Sequence, residues 1–205
     1  MTVERIDRLR TLVLALAIVP LTAGCSIPLK RLPQESWAAS PAEGKALVYV
    51  VSSGAGWGGG FSYHYLIDRG GDADRFVGTL ITNAYFTLEL EPGEHRLGVV
   101  GDTLDLIDLD VRPGETYHVM VGSYLAPSRH GYGHYKYIAV NGPDERLDDA
   151  LEMTGEVVPT EKGEREAIGH QRRLRAMKPK YTPRWEASEE RQRVDTPTPH
   201  PSRES

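Results

Sequence analysis

The chain has 205 residues, 40% of them hydrophobic, with 21 Gly, 14 Pro and a single Cys; that length holds one hydrophobic core with appendages, and the Gly and Pro content excludes a helix bundle in favour of short strands joined by tight turns. The formal charge of −5 is uneven: residues 160–205 carry 11 basic against 8 acidic side chains and residues 1–24 carry 3 against 2, which leaves 10 against 19 on residues 25–159. So acidic a body repels a phosphate backbone, and no nucleic-acid partner is expected.

Arg8 and Arg10 precede an apolar run from Leu12 to Leu21, the length of a signal-peptide core and short of the ~20 apolar residues a spanning helix needs. The run ends in Leu21-Thr22-Ala23-Gly24-Cys25, which resembles the bacterial lipobox. The resemblance implies a lipoprotein signal peptide over residues 1–24, cleavage before Cys25 and a diacylglycerol on its thiol as the only covalent group, with no cofactor. Ser26 stands where an aspartate favours inner-membrane retention, so the resemblance implies the outer membrane, on its periplasmic side or surface. Two or three acyl chains, at ~0.8 kcal/mol per buried CH₂, make the membrane a durable partner. With no second cysteine, the domain has no internal disulfide and rests on core packing. Residues 25–44, with Pro28, Pro33 and Pro41 among polar residues, read as the lipidated cysteine and a flexible tether.

Residues 45–142 read as a sandwich domain. Strands are predicted over Ala46–Ser52, Phe61–Arg69, Arg75–Ile81, Ala84–Leu90, Arg96–Val100, Thr103–Val111 and Tyr117–Gly122, bounded by Gly, Pro, Asn and Asp. Phe86, Leu88 and Leu90 alternate with Thr87 and Glu89, as in a strand buried on one face. In the sixth segment the apolar parity changes between Leu106 and Leu109, which predicts a β-bulge near Ile107 and Asp108. Pro92-Gly93 and Pro113-Gly114 suit positions i+1 and i+2 of type II, hairpin-like turns. The fold class expected is therefore mainly β, a small antiparallel sandwich of about seven strands, with one or two short C-terminal helices. Lys45-Ala46-Leu47-Val48-Tyr49, the Gly78 segment leading to Tyr85-Phe86, Pro92-Gly93-Glu94-His95 and Pro113-Gly114-Glu115-Thr116-Tyr117 resemble the bacterial lipoprotein family catalogued as domain of unknown function 2846. They are similar, more loosely, to PEGA-type sandwiches. The resemblance implies a small β-sandwich and brings no activity.

Beyond it, residues 143–178 read as a helical extension. Asp144, Leu147, Ala150 and Leu151 suit a short helix packed on the sheet. A second, basic helix with a weak apolar face is expected to end before Pro179. Residues 179–205, rich in Pro and charge, read as a disordered tail.

Gly54, Gly56 and Gly59 fit G-x-G-x-x-G after a strand, but the segment that follows reads as another strand rather than the helix a phosphate site needs, so a flexible loop with Trp57 as contact residue is the reading taken. Tyr124, Tyr132, Tyr135 and Tyr137, interleaved with Arg129, His130, His134 and Lys136, form the densest aromatic and polar cluster. Such rings stack on sugars or anchor a protein partner, although alternation puts Tyr135 and Tyr137 on one face, as core. His130 and His134, with His118 and His64, are the candidate metal ligands. Asp102, Asp105, Asp108 and Asp110 read as a solvated acidic face that blunts an edge, ahead of a Ca²⁺ site. No G-x-S-x-G elbow is present, acylation blocks Cys25, and no catalytic residue is assigned.

The leading expectation is a non-enzymatic, membrane-anchored envelope lipoprotein whose sandwich serves interaction or scaffolding, contacting an envelope protein or glycan through Trp57, Tyr124, Tyr132 and Tyr135. The alternatives are a periplasmic metal-binding lipoprotein using His130 and His134, and a glycan-active enzyme, which needs two facing carboxylates in a cleft.

Overall fold

Alternating β-branched and aromatic residues drive the central part of the chain into strands, and two helices close the outer faces those strands leave apolar. The computed structural model describes residues 28–32, 40–52, 61–68, 73–124, 134–153 and 155–198. Among them are eleven strands: β1 (Leu29–Arg31), β2 (Ala46–Ser52), β3 (Ser62–Leu66), β4 (Arg75–Leu80), β5 (Ala84–Leu90), β6 (Gly93–Val100), β7 (Leu104–Val111), β8 (Thr116–Tyr124), β9 (His134–Val140), β10 (Gly155–Pro159) and β11 (Arg193–Val194). The helices are α1 (Glu145–Met153) and α2 (Glu161–Glu186). One sheet has the order β1-β10-β5-β2-β8-β9, the other β11-β7-β6-β3-β4.

The mainly β sandwich expected from the sequence is the fold observed, and all seven expected strands are present. It is larger and more mixed than expected: β2 runs parallel to β8, β10 to β5 and β11 to β7. The mixture follows from the connections. Pro92-Gly93 and Pro113-Gly114 are not hairpin turns; each carries the chain from one sheet to the other, β5 to β6 and β7 to β8. Both glycines hold positive φ, 123° and 77°, where a Cβ is strained. Glu115 N donates to Arg112 O at 3.4 Å across the second turn, as a type II turn requires.

The core lies between the sheets. Ala46, Val48 and Val50 of β2, Phe86, Leu88 and Leu90 of β5, and Tyr117, Val119 and Val121 of β8 meet Leu97 and Val99 of β6 and Ile107, Leu109 and Val111 of β7. The opposite face of β2, with Leu47, Tyr49 and Val51, is covered by Leu147, Ala150 and Leu151 of α1. Asp144 caps that helix, accepting from Arg146 N at 3.0 Å.

No bulge interrupts β7. Its register against β6 runs unbroken from Gly93↔Val111 to Val100↔Leu104. The parity change instead marks a strand buried on both faces: Leu104 and Leu106 pack outward under α2, Ile107 and Leu109 inward. The bulge is in β4, where Val77 is passed over as His64↔Gly78 gives way to Tyr65↔Phe76. Nor are the aspartates a solvated face. Asp105 accepts from Tyr137 N at 2.7 Å, Asp108 from Arg96 at 2.8 Å, Asp110 from Arg193 at 2.9 Å and Asp102 from Arg173 at 3.0 Å. The edge that Asp108 and Asp110 were expected to blunt is covered by β11.

The largest departures are at the two ends. Leu29–Arg31, within the expected tether, pairs with β10. The second helix does not stop before Pro179; it runs 26 residues, through Pro179 and Pro183, to Glu186. Each proline removes one helical hydrogen bond, and packing from both sides of the gap holds the helix. Lys178 Nζ lies 2.8 Å from the buried Asp74 carboxylate, Arg96 donates to Glu186 at 2.8 Å, and the Arg96 guanidinium sits 4.5 Å from the Trp185 ring centre. A narrow stripe of Ala167, Leu174, Met177, Tyr181 and Trp185 packs on Tyr63, Tyr65 and Leu106. Beyond α2, residues expected to be disordered supply β11 and the buried Thr198, whose N–H donates to Thr116 O at 3.0 Å.

Candidate functional site

Strand direction gathers the chemistry at one end of the sandwich. Because β2 and β8 are parallel, with Ser52 opposite Val121, both finish at that end. Ser62 begins β3 there, opposite Leu80, the last residue of β4. Tyr63 lies opposite Val100, so the β6–β7 turn at 101–103 closes beside it, and β9 enters at His134, opposite Tyr124. Ser52, Ser62, Thr82, Ser123 and Tyr135 line a pit of about 10 Å³ there, enough for one water. The Tyr135 hydroxyl is buried and has no hydrogen-bond partner among the described residues. Burial, reinforced by the Asp102 charge, pushes its pKa up to about 12, so the phenol keeps its proton as a buried donor.

Beneath the pit runs a buried polar chain. Ser62 Oγ lies 3.0 Å from His64 Nε2, and His64 Nδ1 lies 2.8 Å from the Tyr137 hydroxyl. Ser62 Oγ also donates to Leu80 O at 3.4 Å. The serine and imidazole have the contact of a nucleophile and its base, but the electrostatics oppose that use. Burial lowers the His64 pKa to about 3, so the ring does not hold a proton taken from serine near neutral pH. Its second nitrogen meets a phenol rather than a carboxylate, so nothing stabilises an imidazolium. What the chain does is tie β3 of one sheet to β9 of the other with each ring nitrogen satisfied.

A second polar group sits at the same end. Asp102, in the β6–β7 turn, is 3.8 Å from His134 Nε2 and 3.0 Å from Arg173 Nη2 of α2. It joins three elements around one carboxylate.

The three described imidazoles among those named from sequence do not converge. His64 faces the core; His118, on β8, stacks on Tyr49 at 5.0 Å on the side covered by α1; His134 faces Asp102. Among the described residues no three His, Cys, Asp or Glu side chains are grouped to hold a metal. His130 lies outside the described residues, as do Cys25, Trp57, Tyr132 and Gly54, Gly56 and Gly59. Tyr124 is the last residue of β8. Tyr135 and Tyr137 share the inner face, as alternation predicts, and are buried.

The Ser62-His64-Tyr137 link was not anticipated. Alternation in Ser62-Tyr63-His64-Tyr65 favours an inner face of tyrosines, whereas Tyr63 and Tyr65 face α2 and the polar residues face in. Tyr63 donates to Glu166 Oε2 and Tyr65 to Ala167 O, both at 2.8 Å. Two hydroxyls needing partners at a helix are the signal that sets the face. Compared with protein-family models, with curated proteins and with solved structures, the chain matches none.

Proposed function

We propose that this chain is an envelope lipoprotein, acylated at Cys25, whose sandwich is a non-catalytic interaction module presenting its pit end to an envelope protein or glycan. The sequence support is the lipobox at Leu21–Cys25. The observation that carries the reading further is the shortness of the link. Cys25 is three residues before Pro28, whose carbonyl accepts from Thr160 N at 2.9 Å. At ~3.3 Å per residue the body then sits within about 10 Å of an acylated Cys25.

Direction adds to this. β10 runs parallel to β5, away from the pit, and β1 pairs antiparallel with it through Leu29↔Pro159. An anchor leading into Leu29 therefore enters toward the end opposite Ser52 and Ser62, which leaves the pit and the Tyr124 and His134 strand ends clear of the bilayer.

The test is labelling with a clickable fatty acid, comparing the parent with Cys25→Ala. Label lost in the variant supports the anchor; label retained refutes it. Photo-crosslinkers at Trp57 and Tyr132, the contact residues named from sequence, with one at Glu91 as control, test the interaction. A defined protein or glycan adduct at the first two supports it; adducts equal at all three refute it.

A further inference from the structure

Among the described residues the outer side of α2 is a surface of contrary charge to the acidic body. Between Glu166 and Glu186 that helix has no acidic residue and six basic ones. Arg173 and Lys178 turn inward to Asp102 and Asp74. Arg172, Arg175, Lys180 and Arg184 are exposed, and among the described residues none has a carboxylate within ion-pair distance. Upstream, Lys162 pairs with Glu166 and Arg165 with Glu161, at 3.8 and 3.7 Å, leaving Glu164 as the acidic exception. On the stripe of Arg172 and Arg175, one turn earlier, stands Ile168, 60% exposed and the one large hydrophobic side chain so exposed among the described residues.

An exposed isoleucine among four unpaired cations suits an anionic lipid surface. The cations meet the headgroups and the aliphatic chain enters the acyl boundary. The anchor's position favours this occupant over any other polyanion. Pro28 packs on the first turn of α2 so closely that an added Cβ at Gly163 falls 2.2 Å from its carbonyl oxygen. A lipid on Cys25 therefore delivers the helix to the bilayer with almost no slack.

We propose that the outer face of α2 (Ile168, Arg172, Arg175, Lys180, Arg184) docks on an anionic phospholipid surface and lays the sandwich on its side, sheet β11-β7-β6-β3-β4 toward the membrane. The inference rests on the reading of Cys25 as the acylated residue for its geometry, and its test does not use the acyl group.

The chain from residue 25 with Cys25→Ser contains every described residue. It is floated with phosphatidylcholine vesicles, with and without phosphatidylglycerol, at low and high salt. Binding is expected only with phosphatidylglycerol and to weaken with salt. Neutralising two cations in R172Q/R175Q should weaken it about 30-fold, whereas R112Q/K136Q, an equal loss of charge on other exposed residues, should change it by no more than a few-fold. Binding that ignores phosphatidylglycerol, equal losses in the two variants, or binding of homopolymeric RNA without vesicle binding each overturns the proposal. A vesicle failure leaves the fatty-acid labelling of Cys25 untouched, and a labelling failure leaves the vesicle result standing, so the two readings fail separately.

Discussion

Gly163 and Gly169 lie in the same helix, less than two turns apart, and alanine should move stability in opposite directions at the two. Alanine replaces helical glycine with a gain of ~0.5–1 kcal/mol, because less backbone entropy is lost on folding. At Gly169 nothing lies within 4 Å of the added Cβ, so G169A should realise that gain. At Gly163 the Cβ would stand 2.2 Å from the backbone oxygen of Pro28, where ordinary contact begins at 3.4 Å, so one side must retreat by ~1 Å. The same oxygen accepts from Thr160 N at 2.9 Å. Overpacking costs ~1–3 kcal/mol and the strained hydrogen bond ~1 kcal/mol, which outweighs the helical gain. The net expectation for G163A is a loss of ~1–3 kcal/mol, or several degrees in Tm at ~2–4 °C per kcal/mol for a chain this size. Urea and thermal unfolding of the two variants measure it. Amide exchange adds a local reading: in G163A, protection should fall at Lys30 and Arg31, which pair with Val158 and Val157, before it falls in the central strands. If both alanines stabilise alike, the β1–α2 contact is not close-packed and the short link from Cys25 loses its basis.

The His64 imidazole is held neutral by burial, its pKa lowered from 6.5 to about 3. Below about pH 6.5 the unfolded chain takes up a proton the folded chain refuses, so this stabilisation is intact above that pH and is lost as pH falls toward about 3, at up to ~1.4 kcal/mol per pH unit. Urea unfolding across that window should show the slope and H64Q should flatten it; a parent whose His64 ring titrates near 6.5 by NMR contradicts the burial argument. The Asp74 carboxylate has no exposed side-chain surface and meets Lys178 Nζ at 2.8 Å. K178M strands that charge and should cost ~3–5 kcal/mol, while K178M/D74N, which keeps an acceptor for Asp68 N, should recover most of it. A single-variant loss under ~1 kcal/mol would show that solvent reaches Asp74.

How much of this was legible depends on how many faces of an element are buried. β5 has one over most of its length: from Phe86 to Leu90 the apolar residues point inward while Thr87 is half-buried and Glu89 exposed, and that alternation reveals the strand, although Tyr85 is buried on the other face beneath α1. β7 has two, and its change of parity imitates a bulge because the helix covering Leu104 and Leu106 is more than fifty residues away in sequence. The same distance hid β1, β10 and β11, none longer than five residues; their own residues carry too little pattern to announce a strand. Pro179 and Pro183 carry a true local signal for a helix end, overridden by Lys178, Trp185 and Glu186 gripping the sheet on either side.

The site obeys the same logic with polar groups. Sequence alone ranks histidines and aspartates by spacing and so collects His64, His118 and His134 as one set. In the fold, strand and face set them apart, and each is answered by a different neighbour. What sequence did convey is that the segments after Ser52 and Tyr124 carry unusual chemistry, and the parallel pairing of β2 with β8 brings those two ends together. That pairing is set by the cross-sheet turn at Pro113-Gly114, whose Gly114 N–H donates to Lys45 O at 2.7 Å at the head of β2. A turn at one end of the sandwich thereby determines which residues meet at the other. A partner recognised at the pit end is accordingly sensitive to the geometry of a turn on the far side of the core.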